Sequence, residues 1–234
     1  MSQNKSLTFK ETLITNIENF FRTKRILLWI ILAAFVGLII FFIVYNAGSK
    51  NILEVSTKAV EDVDKKFSDW LNETDEAKKT ELEKEITNGL STIIAKYPHS
   101  YAAQRALFTR GHYYIKKKEW ENAAKDYLTL TESFPKSVLA EESLLNAASC
   151  NEELSNFNEA ISLHKEFQSQ YPNSFKIAYS LFSTGRIFEQ TKNYTEAGKI
   201  YEKMESDYLN SGWTKLAQNR LIDLKASDLY KKEQ

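Results

Sequence analysis

The sequence predicts an all-α protein in which a single N-terminal transmembrane helix precedes a solenoid of helical repeats. Three observations carry this expectation. Residues 26–45 form a 20-residue run without a charge. Pro98, Pro135 and Pro172, the only prolines of the chain, stand 37 residues apart. Finally, 7 glycines and 3 prolines in 234 residues leave little turn material, which favours long helices with short connections over a many-stranded fold.

Residues 1–25 are expected to form a cytoplasmic tail. Phe9, Leu13, Ile14, Ile17, Phe20 and Phe21 recur at helix-like spacing, which fits either an amphipathic helix lying on the inner leaflet or a partly disordered segment. From Ile26 to Tyr45 the chain reads ILLWIILAAFVGLIIFFIVY, and at about 1.5 Å per helical residue this spans roughly 30 Å, the thickness of a bilayer core. An uninterrupted apolar run leaves no polar face for water, so a buried core helix is disfavoured. Ala47, Gly48 and Ser49 supply small residues after the run. The run is nevertheless longer, and starts later, than in a cleaved signal peptide, so a retained signal anchor is expected. No cysteine follows it to accept a lipid. Arg22, Lys24 and Arg25 directly precede the span, with Lys5 and Lys10 upstream, against only Lys50 and Lys58 after it. The positive-inside rule then keeps the N-terminus in the cytoplasm and exports the rest. Trp29 and Tyr45 sit near the span's ends, where interfacial aromatic belts lie.

The remainder is organised by the 37-residue interval. Each proline belongs to a similar tetrapeptide, YPHS at 97–100, FPKS at 134–137 and YPNS at 171–174, and the series continues as YLNS at 208–211. Gly111, Ala148 and Gly185 keep the interval, as do Trp120, Phe157 and Tyr194; Ala123, Ala160 and Ala197; and Leu107, Leu144 and Leu181. Such periodicity marks stacked units, here two helices each. Gly111 and Ala123 are expected to let the two backbones approach, Trp120 to open the second helix, Tyr127 and Leu130 to bury it, and Pro135 to end it. Residues 51–72 and 76–97 read as two further helices forming, within 46–100, a spacer and a degenerate first repeat. Units at 101–211 follow, and 212–234 supplies a capping helix and tail, because a solenoid needs ends that do not demand another neighbour.

Leu107, Gly111, Tyr114, Ala123, Tyr127 and Pro135 together resemble the pattern of tetratricopeptide-repeat (TPR) proteins over about residues 101–211. The second unit departs from it, with Asn151 and His164 where that family prefers aromatics, and the third closes on Leu209 instead of proline. The resemblance implies that the first helices line a binding groove. The groove positions it implies are Arg105, Phe108, His112 and Lys116; Glu142, Leu145, Ser149 and Glu152; and Tyr179, Phe182, Arg186 and Glu189. Phe108, Leu145 and Phe182 share one repeat position. They form either an apolar strip with charges supplying selectivity at its rim, or part of the core between repeats.

No other chemistry is encoded in a recognisable pattern. There is no phosphate-binding glycine loop, nucleophile elbow or paired-histidine metal motif, and His99, His112 and His164 fall at unrelated repeat positions. Neither catalysis, a cofactor nor a metal is expected. Cys150, the single cysteine, reads as a small buried residue. Lys116–Lys118 and Glu152–Glu153 read as solvated charged faces. Residues 1–45 hold five Lys/Arg against two Glu, and the rest 26 against 29 acidic residues, which is a poor footprint for nucleic acid.

Tail, anchor, spacer and exported repeats together resemble the YfgM-like ancillary subunits of the bacterial Sec translocon, and NSGWTKLAQNRLIDL at 210–224 looks like the end of such domains. That resemblance implies a single-pass inner-membrane protein with a periplasmic repeat domain. Its partners would be translocon subunits, chaperones or exported polypeptides, met during translocation or chaperone handover. The alternative is a structural scaffold of a cell-envelope assembly complex, with one folded protein as partner.

Overall fold

The computed structural model describes residues 9–230; Lys5 and the chain ends at 1–8 and 231–234 lie outside the described residues. Within them the chain forms nine α-helices and no strand. It divides into two units, Met1–Glu54 and Val55–Gln234.

In the first unit, helix α1 (Phe9–Asn72) begins, and it continues without a break into the second. No proline lies within it, so nothing interrupts its hydrogen-bond ladder. The segment 51–72, expected as a separate helix, is therefore the end of α1. Every residue from 26 to 45 is exposed except Leu28. The helix is long and apolar enough to cross a membrane, and it buries none of that run against the rest of the protein as a core helix would.

The second unit is a TPR-type solenoid. After α1 come α2 (Glu76–Lys96), α3 (Tyr101–Lys116), α4 (Trp120–Ser133), α5 (Ala140–Glu153), α6 (Phe157–Gln170), α7 (Ile177–Gln190), α8 (Tyr194–Asp207) and α9 (Gly212–Ala226). The tetrapeptides explain where pairs end and begin. Tyr97, Phe134, Tyr171 and Tyr208 close the second helices, their N–H groups donating to Ile93, Leu130, Phe167 and Met204 carbonyls, and proline after the first three prevents continuation. The serine that ends each mark then holds the entry to the next helix, as the N-cap itself at Ser100 and Ser211 and two residues ahead of the N-cap at Ser137 and Ser174. Ser100, Ser137, Ser174 and Ser211 hydroxyls accept from the N–H groups of Ala103, Leu139, Lys176 and Trp213 at 3.0–3.2 Å.

Within a pair the turn is equally regular. Lys118, Ser155 and Lys192, again 37 residues apart, take positive φ of 58°, 60° and 61°. The following N–H groups of Glu119, Asn156 and Asn193 reach back to the carbonyls of Tyr114, Asn151 and Phe188 at 2.7–2.9 Å. This is a Schellman cap built without the usual glycine.

Gly111 does not serve the approach of two backbones. A Cβ there would lie 2.7 Å from Cζ of Tyr127, and one at Gly185 would lie 2.4 Å from Cε1 of Tyr201. The missing side chain makes room for a tyrosine ring of the second helix, and both rings are fully buried. The second repeat solves the same problem differently. Where the glycine would be stands Ala148, and where the tyrosine would be stands the smaller His164, itself fully buried. Its Nδ1 lies 3.2 Å from the Ser180 hydroxyl, and burial, with a contribution from the Arg186 charge, pushes its pKa down to about 4. The departure from the aromatic pattern is thus matched by an extra methyl on the facing helix.

The core runs through these contacts, joining Tyr127, Leu144, Leu163, Phe167, Leu181, Tyr201, Met204, Leu221 and Leu224. An adjoining cluster of Val60, Val63, Trp70, Ile86, Leu90, Ile93, Ala106 and Tyr113 ties the end of α1 and α2 to α3. Cys150 is buried in the first cluster, which pushes its thiol up to about 12 and leaves it no nucleophilic thiolate at neutral pH. Tyr230 is also buried in that cluster, so the packed end of the chain extends beyond α9.

Candidate partner-binding face

The residues expected to line the groove lie on α3, α5 and α7. Arg105, Phe108 and His112 are half-buried on α3; Ser149 and Glu152 on α5; and Tyr179, Phe182, Arg186 and Glu189 on α7. Glu142 is exposed and Leu145 is buried. Lys116 is exposed at the end of α3 and is one place out of register. The residue 37 before Glu152 is Ile115, which is half-buried and packs on the core.

The charges of this face are largely paired with one another. Arg105 pairs with Asp64, Glu142 with Lys176 at 3.3 Å, Glu152 with Arg186 and Glu189 with Arg220 at 3.2 Å. Glu189 also accepts from the Tyr201 hydroxyl. Each pair joins one first helix to the equivalent part of the next unit, or α3 to α1, so the carboxylates stitch repeats together. Lys117 likewise pairs with Glu83 at 2.8 Å, and Trp70 Nε1 donates to the same carboxylate at 3.2 Å. Lys117 and Glu152 are therefore not the merely solvated charges expected of their runs. His112 stands edge-on to Phe108, ring centroids 4.5 Å apart, and burial lowers its pKa, so it contributes a neutral ring at physiological pH.

The hollow on this face is part aromatic and part polar. Glu142, Leu145, Asn146, Phe175, Lys176, Tyr179 and Trp213 line a hollow of about 290 Å³. Trp213 packs on Tyr179 at 5.0 Å and on Phe182 at 5.5 Å between ring centroids. Phe175 projects almost entirely into solvent, 87% exposed. Asn146, Phe175, Lys176 and Trp213 were missed by sequence reasoning. A signal for Phe175 was present: Tyr101, Val138 and Phe175 share one repeat position, and all three are exposed. Trp213 lies on α9, which follows the fourth tetrapeptide and is by register another first helix, with Leu216 at the position of Tyr179.

Two further hollows lie away from this face. One, of about 580 Å³, is lined by Asp69, Asn72, Glu73, Lys78, Glu81, Leu82 and Glu85, and no group of acidic, histidine or cysteine side chains suited to a metal occurs among the described residues. Another lies at the turn 155–159 beside Thr191.

Residues 142–174 match the family model described as a tetratricopeptide repeat. The matched segment is α5, its turn, α6 and the closing YPNS, that is, one unit of the stack. No curated protein matches the chain. The fold and the match together define the class: an all-α protein with a TPR-type helical stack, a module for binding other proteins, carrying one N-terminal helix long and apolar enough to span a membrane.

Proposed function

We propose that the protein is a membrane-anchored polypeptide-binding module whose binding surface is the first-helix face of α5, α7 and α9. The observation that carries this is the aromatic hollow walled by Phe175, Tyr179 and Trp213, with Phe182 packed behind Trp213. Large aromatic side chains left half-exposed around a depression are the usual anchors of protein recognition. At about 290 Å³ the hollow suits one bulky side chain of a polypeptide better than a free small molecule.

The anchor sets where that face works. With Arg22, Lys24 and Arg25 before the span, the N-terminus stays in the cytoplasm and the repeats stand on the far side of a bacterial inner membrane. In that place the module assists translocation, receiving exported chains beside the Sec translocon or passing them to periplasmic chaperones.

The test is photocrosslinking in intact membranes, with Phe108, Phe175 and Phe182 replaced one at a time by a photoreactive residue and adducts identified by mass spectrometry. Adducts to translocon subunits, chaperones or many unrelated exported chains are the expected result. A single stoichiometric envelope protein would replace this reading with that of an assembly scaffold, and labelling confined to the protein's own helices would overturn both.

A further inference from the structure

We infer that the segment bound at this face is an extended polypeptide stretch of low charge carrying bulky apolar side chains, selected by apolar fit and not by charge. This rests on the binding reading above and names the chemistry of its partner. Glu142, Glu152 and Glu189 each already hold a cation of the next unit, and Arg105 already holds Asp64. At those positions a charged ligand competes with an existing pair, so part of its Coulombic gain is offset, and Lys116 at the end of α3 is an exposed charge outside those pairs.

The apolar groups are more open, although Lys176 Nζ stands 5.7 Å from the Phe175 ring centroid and Trp213 packs on Tyr179. Phe175 and Val138, at one repeat position, are 87% and 84% exposed, and Tyr101 continues their series one unit earlier. Leu216, at the position of Tyr179, is exposed beside Trp213 on α9. The face thus offers an apolar contact in each successive unit and one deeper hollow near its C-terminal end. A chain running across the units meets these contacts in turn, and its largest side chain seats between Phe175, Tyr179 and Trp213. Each contact of this kind gains by removing apolar area from water.

The experiment uses the full-length protein in lipid nanodiscs, with empty nanodiscs as the blank. The probes are fluorescein-labelled Gly-Ser peptides carrying either three Phe/Leu residues, three Glu or three Lys, read by fluorescence anisotropy at low salt and at about 0.5 M salt. The apolar peptide is expected to bind, with affinity changing less than about twofold between the two salts. Trp213→Ala and, independently, Phe175→Ser are expected to weaken it about tenfold or more while helical ellipticity is unchanged. Tighter binding of a charged peptide with steep salt dependence would overturn this inference and leave the polypeptide-binding reading standing. Apolar binding indifferent to both substitutions would overturn the placement. Failure of all three peptides to bind would overturn inference and reading together.

Discussion

Replacing Gly185 by alanine is the sharpest probe of how the two helices of a repeat fit. The new Cβ would stand 2.4 Å from Cε1 and 2.9 Å from Cζ of Tyr201, well inside contact distance, so one of the two must move. The ring has nowhere to go: it is fully buried, and its hydroxyl is held by Glu189, which also holds Arg220. Overpacking of this kind costs about 1–3 kcal/mol, and alanine regains about 1 kcal/mol of helix propensity over glycine, leaving a net loss of about 0–2 kcal/mol. Gly111→Ala should cost less, because its Cβ meets Tyr127 at 2.7 Å and not at the 2.4 Å found at Gly185. The second repeat supplies the rescue, since it already pairs alanine with histidine at these positions. In a Gly185→Ala/Tyr201→His protein the imidazole clears the methyl, so the double variant should be at least about 1 kcal/mol more stable than the sum of the single losses. Urea unfolding of the full chain in mild detergent, followed by helical ellipticity, measures the three variants against the parent. Additivity within about 0.5 kcal/mol would refute the steric account.

Two further outcomes follow from the same architecture. His164 is held neutral by burial, its pKa about 4 against an ordinary 6.5. The unfolded chain therefore binds the extra proton between those values, and the stability from burying the neutral ring is complete above about pH 6.5 and lost as pH falls toward 4. The loss amounts to roughly 3 kcal/mol at most. His164→Asn should flatten the dependence of urea stability on pH across that window, and an unchanged slope would refute the assignment. At the turns, Lys118, Ser155 and Lys192 each hold a left-handed conformation that glycine adopts without steric cost. Ser155→Gly should accordingly raise the unfolding midpoint by about 0.5–1 kcal/mol in free energy, and a destabilised variant would show that the serine contributes something the turn geometry does not reveal.

Much of the fold was legible because its determinants are local and repeated. The apolar run at 26–45 needs only counting, and the Tyr/Phe-Pro-x-Ser marks combine a helix stop with a helix start, so their interval fixes the pairing of helices. The unbroken continuation of α1 to Asn72 was not legible, because Gly48 in a polar stretch looks like a break and only the absence of proline argues otherwise. The left-handed turn residues were hidden since lysine and serine carry no signal for positive φ. The ion pairs were hidden for a different reason: they join residues 31–41 apart, and which charges meet depends on the stacking angle of one unit on the next. Sequence reasoning put the expected face on first helices and stopped at α7, because α9 was read as a cap and not as the next first helix.

Comparing the repeats with one another separates what the fold requires from what the face offers. At core positions the side chains are interchangeable only as matched sets: Gly111 with Tyr127, Ala148 with His164, Gly185 with Tyr201. At one face position the series instead runs Arg105, Glu142, Tyr179 and Leu216, four different chemistries on one geometric site. The first two are consumed by pairing with Asp64 and Lys176; the last two border or continue the hollow at Trp213. Charge is thus used along the units to fix one repeat against the next, and the aromatic hollow lies where α7 meets α9. Stacking there carries Arg186–Glu152 and Arg220–Glu189, while Tyr179 and Trp213 pack ring on ring across the same junction, and the part of those rings left open is the surface proposed for a partner chain.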